Sequence, residues 1–260
     1  MKVLIVGAGG YIGERFIKFA NSQKNFTAHI VDSYEGWKEK DFSGYDSVIF
    51  AAGIAHRRQT KANAFLYFAV NTALAADVAK KAKLSKVRQF VYLSSMAVYG
   101  KKEGEISEHT KPNPRHNDYY GQSKYQAEQE LKKLTDAEFD LAIIRPPMVY
   151  GAECPGKFKQ LKGLSKWLPI VPDNRNKRSM IYVDKLSLFL CTIVQEKKAG
   201  VFCPQDDEYV NTAALIKQIR RDMGKNTVIL PCLGWLVNLA KKICPPLKTA
   251  FGSLVYTKEP

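Results

Sequence analysis

Tyr120 and Lys124 stand four residues apart in Tyr120-Gly121-Gln122-Ser123-Lys124, so on a helix they share one face. A phenol beside an ammonium is a proton-transfer pair. The cation stabilises the phenolate and lowers a pKa that is ~10 in free tyrosine, which makes a general base usable near neutrality. Tyr119 has no lysine four residues on, and this singles out Tyr120. Upstream, Leu93-Ser94-Ser95-Met96-Ala97-Val98-Tyr99-Gly100 closes an apolar run with two hydroxyls. They fall at the C-terminal end of a strand, the edge at which open parallel sheets bind ligands. Near the N-terminus, Gly7-Ala8-Gly9-Gly10-Tyr11-Ile12-Gly13 leaves one strand and opens a helix. Glycine there lets the backbone turn tightly and approach a pyrophosphate, whose charge rests on N–H groups at the helix N-terminus. Gly7, Gly10 and Gly13 form a G-x-x-G-x-x-G variant of the dinucleotide fingerprint, and the strand–turn–helix context gives it weight. Asp32 ends the next strand, at the right distance to accept hydrogen bonds from an adenosine ribose. Ser33, Tyr34 and Glu35 follow it rather than a cation for a 2′-phosphate, which favours NAD over NADP.

Short β-rich runs alternating with helical periodicity must position these groups, and they predict an α/β fold. The expected form is a Rossmann-type doubly wound parallel sheet with a small C-terminal α/β substrate-binding domain. Strands are expected over 2–6, 28–32, 47–51, 89–94 and 140–144, the last stopped by Pro146 and Pro147. Helices are expected over 11–22, 61–83 and 119–135. Beyond residue 151 the pattern loosens, with a strand at 180–183, a helix at 184–194, and helices at 212–223 and 233–243 around a short strand at 228–230. The division is therefore 1–150 for the dinucleotide-binding domain, with 179–203 returning to it, and 151–260 for the substrate-binding domain.

The 260 residues are 45% hydrophobic and 25% charged, an ordinary globular composition. The five cysteines, Cys154, Cys191, Cys203, Cys232 and Cys244, have no C-x-x-C spacing, so neither a disulfide framework nor a zinc site is expected. The histidines show no metal-ligand spacing either. The N-terminal apolar run is too short for a signal peptide, and no stretch approaches the roughly 18 apolar residues of a membrane span. A cytoplasmic protein is the expectation. Forty Lys and Arg against 25 Asp and Glu give +15, which suits an anionic partner. No nucleic-acid-binding pattern accompanies these cations, which read mostly as solvated helix faces. The apolar 233–243 segment ends in Lys241 and Lys242 and reads as a core helix, with a peripheral membrane contact as the alternative.

These motifs together resemble the extended short-chain dehydrogenases, specifically the nucleotide-sugar epimerase/dehydratase family. Asp46-Ser47-Val48-Ile49-Phe50-Ala51-Ala52-Gly53, Val70-Asn71-Thr72, Arg145-Pro146-Pro147-Met148-Val149-Tyr150-Gly151 and Arg178-Ser179-Met180-Ile181-Tyr182-Val183-Asp184 join those above in family order. The resemblance covers residues 1 to roughly 190. It implies Ser95, Tyr120 and Lys124 as catalytic residues. For NAD it implies Gly7, Gly10, Tyr11, Ile12, Gly13, Asp32, Ala51, Ala52, Gly53, Ser94 and Pro147, together with Tyr120 and Lys124. For a nucleotide-sugar substrate it implies Ser95, Met148, Lys157 and Arg178, the arginine at the diphosphate. Lys159 lies in the same capping segment, and His56 is a candidate near the nicotinamide. A homodimer is a further expectation.

The sequence departs from the family pattern at three places. Met96-Ala97 stand where the dehydratases carry Asp-Glu, which disfavours dehydration; Met148 and Ala55 replace an Asn and a Lys. Only fourteen positions separate Asp32 from Asp46, too few for the αβ unit that relatives fit there, so Asp32 belongs either to the ribose-binding strand or to the one after it. The implied activity is an NAD-dependent 4-epimerase acting through a 4-keto sugar in surface-polysaccharide synthesis. The alternatives are an NAD(P)H-dependent 4-keto-sugar reductase and a non-catalytic NAD-binding regulator.

Overall fold

The computed structural model describes residues 1–55 and 57–258. His56 lies outside them. The chain forms two compact units: Met1–Gly100, Pro112–Pro147 and Ile181–Pro204 make the first, and Lys101–Lys111, Met148–Met180 and Gln205–Pro260 the second.

The first unit is built on a parallel six-stranded sheet. Its strands are β1 (Lys2–Val6), β2 (Thr27–Val31), β3 (Ser47–Phe50), β4 (Gln89–Leu93), β5 (Asp140–Ile144) and β6 (Gly200–Phe202). They lie in the order β6-β5-β4-β3-β1-β2, with Val6 in register with Val31 on one side and Phe50 on the other. The strand residues are almost continuously apolar because both faces are covered. Leu4, Val6, Val48, Phe50, Phe90, Tyr92, Leu141 and Ile143 pack in one cluster with Ala75, Val78, Ala79, Ala82, Ala127 and Leu131. Small alanines let the helices on that side approach the large aromatics of the sheet. The alternate residues Val3, Ile5, Ile49 and Val91 are equally buried and point to the opposite face. Helices α1 (Tyr11–Asn21) and α5 (Val183–Gln195) pack on each other, joined by Arg15 and Asp184 at 2.9 Å. The doubly wound sheet expected from the sequence is thus present.

Between β2 and β3 the chain makes only one short helix, α2 (Gly36–Glu39), before returning across β1. The extra αβ unit is missing from the outer edge, so β2 is the sheet's last strand. Asp32 follows β2 directly, and β2 pairs with β1. Of the two placements open to Asp32, the structure shows the one at the end of the strand beside β1.

The helix expected over 61–83 is a composite. A 3₁₀ turn (Lys61–Asn63), an α segment (Ala64–Phe68) and a π turn (Ala69–Ala73) lead into α3 (Leu74–Leu84). The π turn buries Asn71 and Thr72 and points both toward the next helix, α4 (Tyr119–Lys132). Contrary to the expectation of no long apolar run, Lys61–Leu84 has 24 residues and a mean hydropathy of 1.2 in its most apolar window. Ala75, Val78, Ala79 and Ala82 are fully buried in the core, so this is a core helix, apolar because it faces the sheet.

In the second unit, strands Ile170–Pro172 and Val228–Leu230 pair in parallel, as do Gly104–Ile106 and Leu254–Tyr256. Val171, Ala213, Ile216, Val237 and Phe251 form its core. Helix Thr212–Asp222 starts at Asn211, whose side chain accepts the Ala214 N–H at 2.8 Å. Near its end Arg220 donates to the carbonyls of Ser165 and Lys166 at 2.9 and 2.8 Å, tying it to helix Lys157–Ser165.

Candidate active site

The glycine turn is shaped by contacts that leave no room for side chains. Gly7 has φ +136°, and a Cβ on it would lie 2.6 Å from Ala52 N and 2.9 Å from the Ala51 carbonyl carbon. The turn is pinned from both sides. Gly7 and Ala8 donate to Val31 O at 2.9 and 3.0 Å, while Ala51 and Ala52 donate to Val6 O at 2.9 and 3.0 Å. Gly13 is buried, and its Cβ would sit 3.2 Å from Gly7 O. Glu14 closes the loop by accepting the Gly9 N–H at 2.9 Å. The first helical bond of α1 runs from Glu14 N to Gly10 O, so the N–H groups of Tyr11, Ile12 and Gly13 stand ahead of it at the positive end of the helix dipole. The cradle that a Cβ would fill, at the C-terminal end of β1, fits a dinucleotide pyrophosphate.

Asp32 has a second task. Its Oδ1 accepts the N–H groups of Tyr34 and Glu35 at 2.8 and 3.0 Å, and Gly36 N lies 3.2 Å from Oδ2. These backbone donors hold its carboxyl below the usual range. An exposed, ionised carboxylate therefore stands at the end of β2.

At the ends of β3 and β4 the remaining groups divide into two clusters. The first joins Ser95 and Tyr120. Ser95 Oγ accepts Ala97 N–H at 3.2 Å, capping the 3₁₀ turn Met96–Tyr99, and the Ser95 side chain pulls the Tyr120 pKa downward. Helix α4 is pressed against this turn: a Cβ on Gly121 would lie 2.9 Å from Ala97 O. Asp118 caps α4 through Gly121 N–H at 3.2 Å, and Gln59 bridges Asp118 and Tyr120 N at 3.0 and 3.1 Å. One turn further along, Lys124 Nζ donates to Leu93 O at 2.7 Å and lies 4.8 Å from the Tyr92 ring centre. Gly53 belongs here, because a Cβ on it would meet Asn71 Oδ1 at 3.0 Å and Lys124 Nζ at 3.2 Å.

The protonation balance differs from the one predicted by the Tyr–Lys spacing. Burial raises the Tyr120 pKa, the Ser95 side chain lowers it, and the charge of Asp118 raises it; the net shift is upward. Lys124 is itself brought down to about 7 by burial, against the opposing attraction of Glu128. Its proton is directed at Leu93 O, so the lowering expected for the phenol is not found.

The second cluster takes Ser94 away from Ser95. Ser94 is buried, and its hydroxyl donates to Glu128 Oε1 at 2.5 Å. Arg145 donates from Nε to the same oxygen at 3.0 Å and from Nη2 to Glu128 Oε2 at 2.5 Å, with Nη1 on Tyr99 OH at 2.9 Å. The sequence reading missed Glu128, although it continues the Tyr120–Lys124 face by another four residues. It also missed Asn71, which accepts Ile54 N–H at 2.9 Å and donates to Ser123 Oγ at 3.0 Å, fixing the loop after β3 against α4. Pro147 is buried at the end of the first unit. Met148, Lys157 and Arg178 lie in the second. Lys157 is exposed at the start of its helix. Arg178 donates from Nη1 to Gly252 O at 2.8 Å, and its guanidinium is depressed by burial and attracted by Glu103.

A glycine cradle after β1, an acid after β2 and a Ser–Tyr–Lys set at the ends of β4 and α4 define an NAD-linked enzyme of the Rossmann-type short-chain dehydrogenase/reductase class. The chain belongs to the NAD dependent epimerase/dehydratase family, whose pattern matches residues 3–202. It is 29% identical to the UDP-glucose 4-epimerase of Vibrio cholerae over 93% of this chain and 81% of that one. It is 26% identical to the N-acetyl-alpha-D-glucosaminyl-diphospho-ditrans,octacis-undecaprenol 4-epimerase of Escherichia coli O157:H7, over 86% of this chain and 72% of that one. In fold it is similar to a dTDP-4-dehydrorhamnose reductase of Clostridium acetobutylicum, with TM-score 0.73, 21% identity and coverage of 89% and 84%. The UDP-glucuronic acid 4-epimerase of Bacillus cereus in complex with NAD gives TM-score 0.72 at 20% identity, covering 88% and 85%.

Proposed function

We propose that this protein inverts C4 of a sugar carried on a diphosphate, with Tyr120 as the acid/base. The observation that supports this most directly is the placement of Tyr120 beside Ser95 and one turn before Lys124 on α4. The relatives from Vibrio cholerae and Escherichia coli O157:H7 bear the names of 4-epimerases of diphosphate-linked sugars. Tyr120 takes the proton of the C4 hydroxyl and gives it back after the sugar has turned. Ser95, beside that phenol, orients the same hydroxyl. Asn71 fixes the loop that contains Gly53, Lys124 would hold the nicotinamide ribose, and the cradle would hold the pyrophosphate. NAD, when bound, would supply the acceptor for the C4 hydride and the donor that restores it. Arg178 and Lys157 are the cations assigned to the substrate diphosphate, and Met148 lines the sugar.

Incubation with UDP-glucose, UDP-galactose and their N-acetylhexosamine counterparts tests this, following both isomer formation and absorbance of reduced cofactor. An epimerase forms the isomer without net reduced cofactor. Stoichiometric consumption of NAD(P)H would identify a 4-keto-sugar reductase, and neither signal would leave a regulator.

Asp32→Asn keeps an oxygen for the turn N–H groups of α2 but removes the charge. NAD preference over NADP is expected to narrow by roughly 10-fold, equivalent to ~1.4 kcal/mol, with little change in melting temperature. Cofactor titrations check this, and an unchanged ratio removes Asp32 from the ribose site.

NAD affinity is expected to depend on pH through Lys124. Its folded pKa is about 7, so the ammonium is present below that value and lost as pH rises through it. NAD binding to the charged form therefore weakens above about pH 7, by up to about tenfold per unit for one proton. Lys124→Met should bind NAD weakly and with that slope removed. Wild-type affinity that stays constant between about pH 6 and 9 would remove the ammonium from cofactor binding.

A further inference from the structure

The second unit turns large apolar side chains toward water on a helix that is already apolar where it meets the core. Helix Gly234–Ile243 buries Gly234 and Val237 against the cluster around Val171, Ile216 and Phe251. Its outer side repeats the pattern. Trp235, Leu239 and Ile243 follow at intervals of four, with Leu236 beside them, and they are 62%, 52%, 82% and 40% exposed. At 100° per residue these four span about a quarter of the helix circumference. A surface helix of a water-facing protein carries charged residues there; this one carries only Asn238 and Lys242 at the border of the stripe. The same unit holds a second apolar and basic point. Helix Lys157–Ser165 contains Lys157, Lys159, Lys162 and no carboxylate, and it leads through Lys166 to Trp167, 82% exposed.

We infer that this face of the second unit docks reversibly on an anionic lipid surface. Trp235, Leu239 and Ile243 enter the boundary between headgroups and acyl chains, and Lys242 meets headgroup phosphate. Charge selects this occupant. Helix Gly234–Ile243 has no acidic residue, and the chain carries +15. Lys241 and Lys248 are directed at Glu103 at 3.0 and 3.2 Å, which leaves Lys242 as the cation beside the stripe. Two-fold pairing of the helix with a second copy would bring Lys242 toward its own counterpart with no acid on either helix to offset it. Ten residues rise only about 15 Å, half a bilayer core, so the helix lies in the interface plane and does not cross it. Basic residues bordering an apolar face, with tryptophan at headgroup depth, are the chemistry of an in-plane helix. The inference rests on the second unit alone and is independent of the proposed reaction.

Flotation of the full chain with vesicles tests it, comparing phosphatidylglycerol/phosphatidylcholine mixtures with phosphatidylcholine alone. Binding to the anionic vesicles is expected to be at least about 10-fold tighter and to fall with added salt. Tryptophan emission should shift to the blue on binding, since Trp37 is already buried and the change reports Trp167 and Trp235. Trp235→Ser/Leu239→Ser/Ile243→Ser is expected to lose about 10-fold or more in vesicle affinity, with circular dichroism and turnover of soluble substrate unchanged. Ile243→Asp alone, at the most exposed position, should weaken binding in the same direction if the triple variant folds poorly. Failure of the wild type to bind phosphatidylglycerol vesicles, or unchanged binding by these variants, overturns the proposal. So does conversion of a dimer to a monomer in the triple variant with vesicle affinity unchanged, which would assign the stripe to a second copy.

Discussion

Tyr120→Phe is expected to lower turnover by on the order of 10²–10⁴ while leaving NAD affinity nearly intact. The phenyl ring keeps the volume that packs at the start of α4, so the loss is confined to one hydroxyl. Burial holds the pKa of that hydroxyl above the ordinary tyrosine value, while Ser95 pulls it down. It is therefore a reluctant base in the free protein, and Ser95 is the nearby group shown to favour its ionised form. Ser95→Ala should consequently reduce turnover through the same proton, with the residual rate rising more steeply with pH. The measurement is kcat on the established substrate alongside an NAD titration. A Tyr120→Phe protein that keeps most of its activity would remove Tyr120 from the chemistry.

Glu128→Leu is expected to cost about 3–5 kcal/mol of stability, seen as a lower midpoint in chemical denaturation. Glu128 is fully buried, and it neutralises Arg145, whose side chain is 7% exposed. Removing the carboxylate leaves a guanidinium in the core without its counter-charge and strands the Ser94 hydroxyl as well. Replacing both partners, as Glu128→Leu/Arg145→Met, should recover much of the loss, because the penalty lies in the uncompensated charge. A single variant that loses less than about 1 kcal/mol would show that water reaches Arg145. Glu128→Gln is the gentler probe of function. It withdraws the attraction that holds the Lys124 pKa up, so the pH dependence of NAD binding should move to lower pH.

The sheet was legible in the sequence because its strands are buried on both faces. Val3-Leu4-Ile5-Val6 and Ser47-Val48-Ile49-Phe50 read as apolar runs wherever they lie. The glycine turn was legible because its spacing is set by backbone contacts that only glycine satisfies. Ends were less so: the helix predicted to Thr135 stops at Lys132, and the strand predicted to Asp32 stops at Val31, where Asp32 turns to bind the N–H groups of α2. Helical periodicity over 61–83 does not show the π turn, which arises from Asn71 and Thr72 reaching Ser123, 52 and 51 residues away. The two serines were readable as a pair but not in their separate tasks. Ser94 and Ser95 follow β4 directly, and here Ser94 binds Glu128 while Ser95 caps the next turn beside Tyr120. The Glu128–Arg145 pair joins a helix to a strand, and no local pattern contains both. The protonation of Tyr120 was misread for a related reason, since spacing places Lys124 near it but burial decides where the proton goes.

The short return from β2 to β3 has a consequence for how the protein behaves in a concentrated solution. A sheet that stops at β2 turns a row of backbone groups outward, although Asn21 already covers Ala28, accepting its N–H at 2.7 Å and donating to its C=O at 3.1 Å. Such a row is a template on which a strand from another molecule can be laid. Five residues make it a short template, and Asp32 places a carboxylate at its end. The wider protection is colloidal: molecules of charge +15 repel one another before their edges meet. Salt removes that repulsion, since screening confines it to ~10 Å at 0.1 M. Trimming the outer unit of the sheet has thus made shelf life a matter of ionic strength, with low salt as the storage condition that keeps the edge bare.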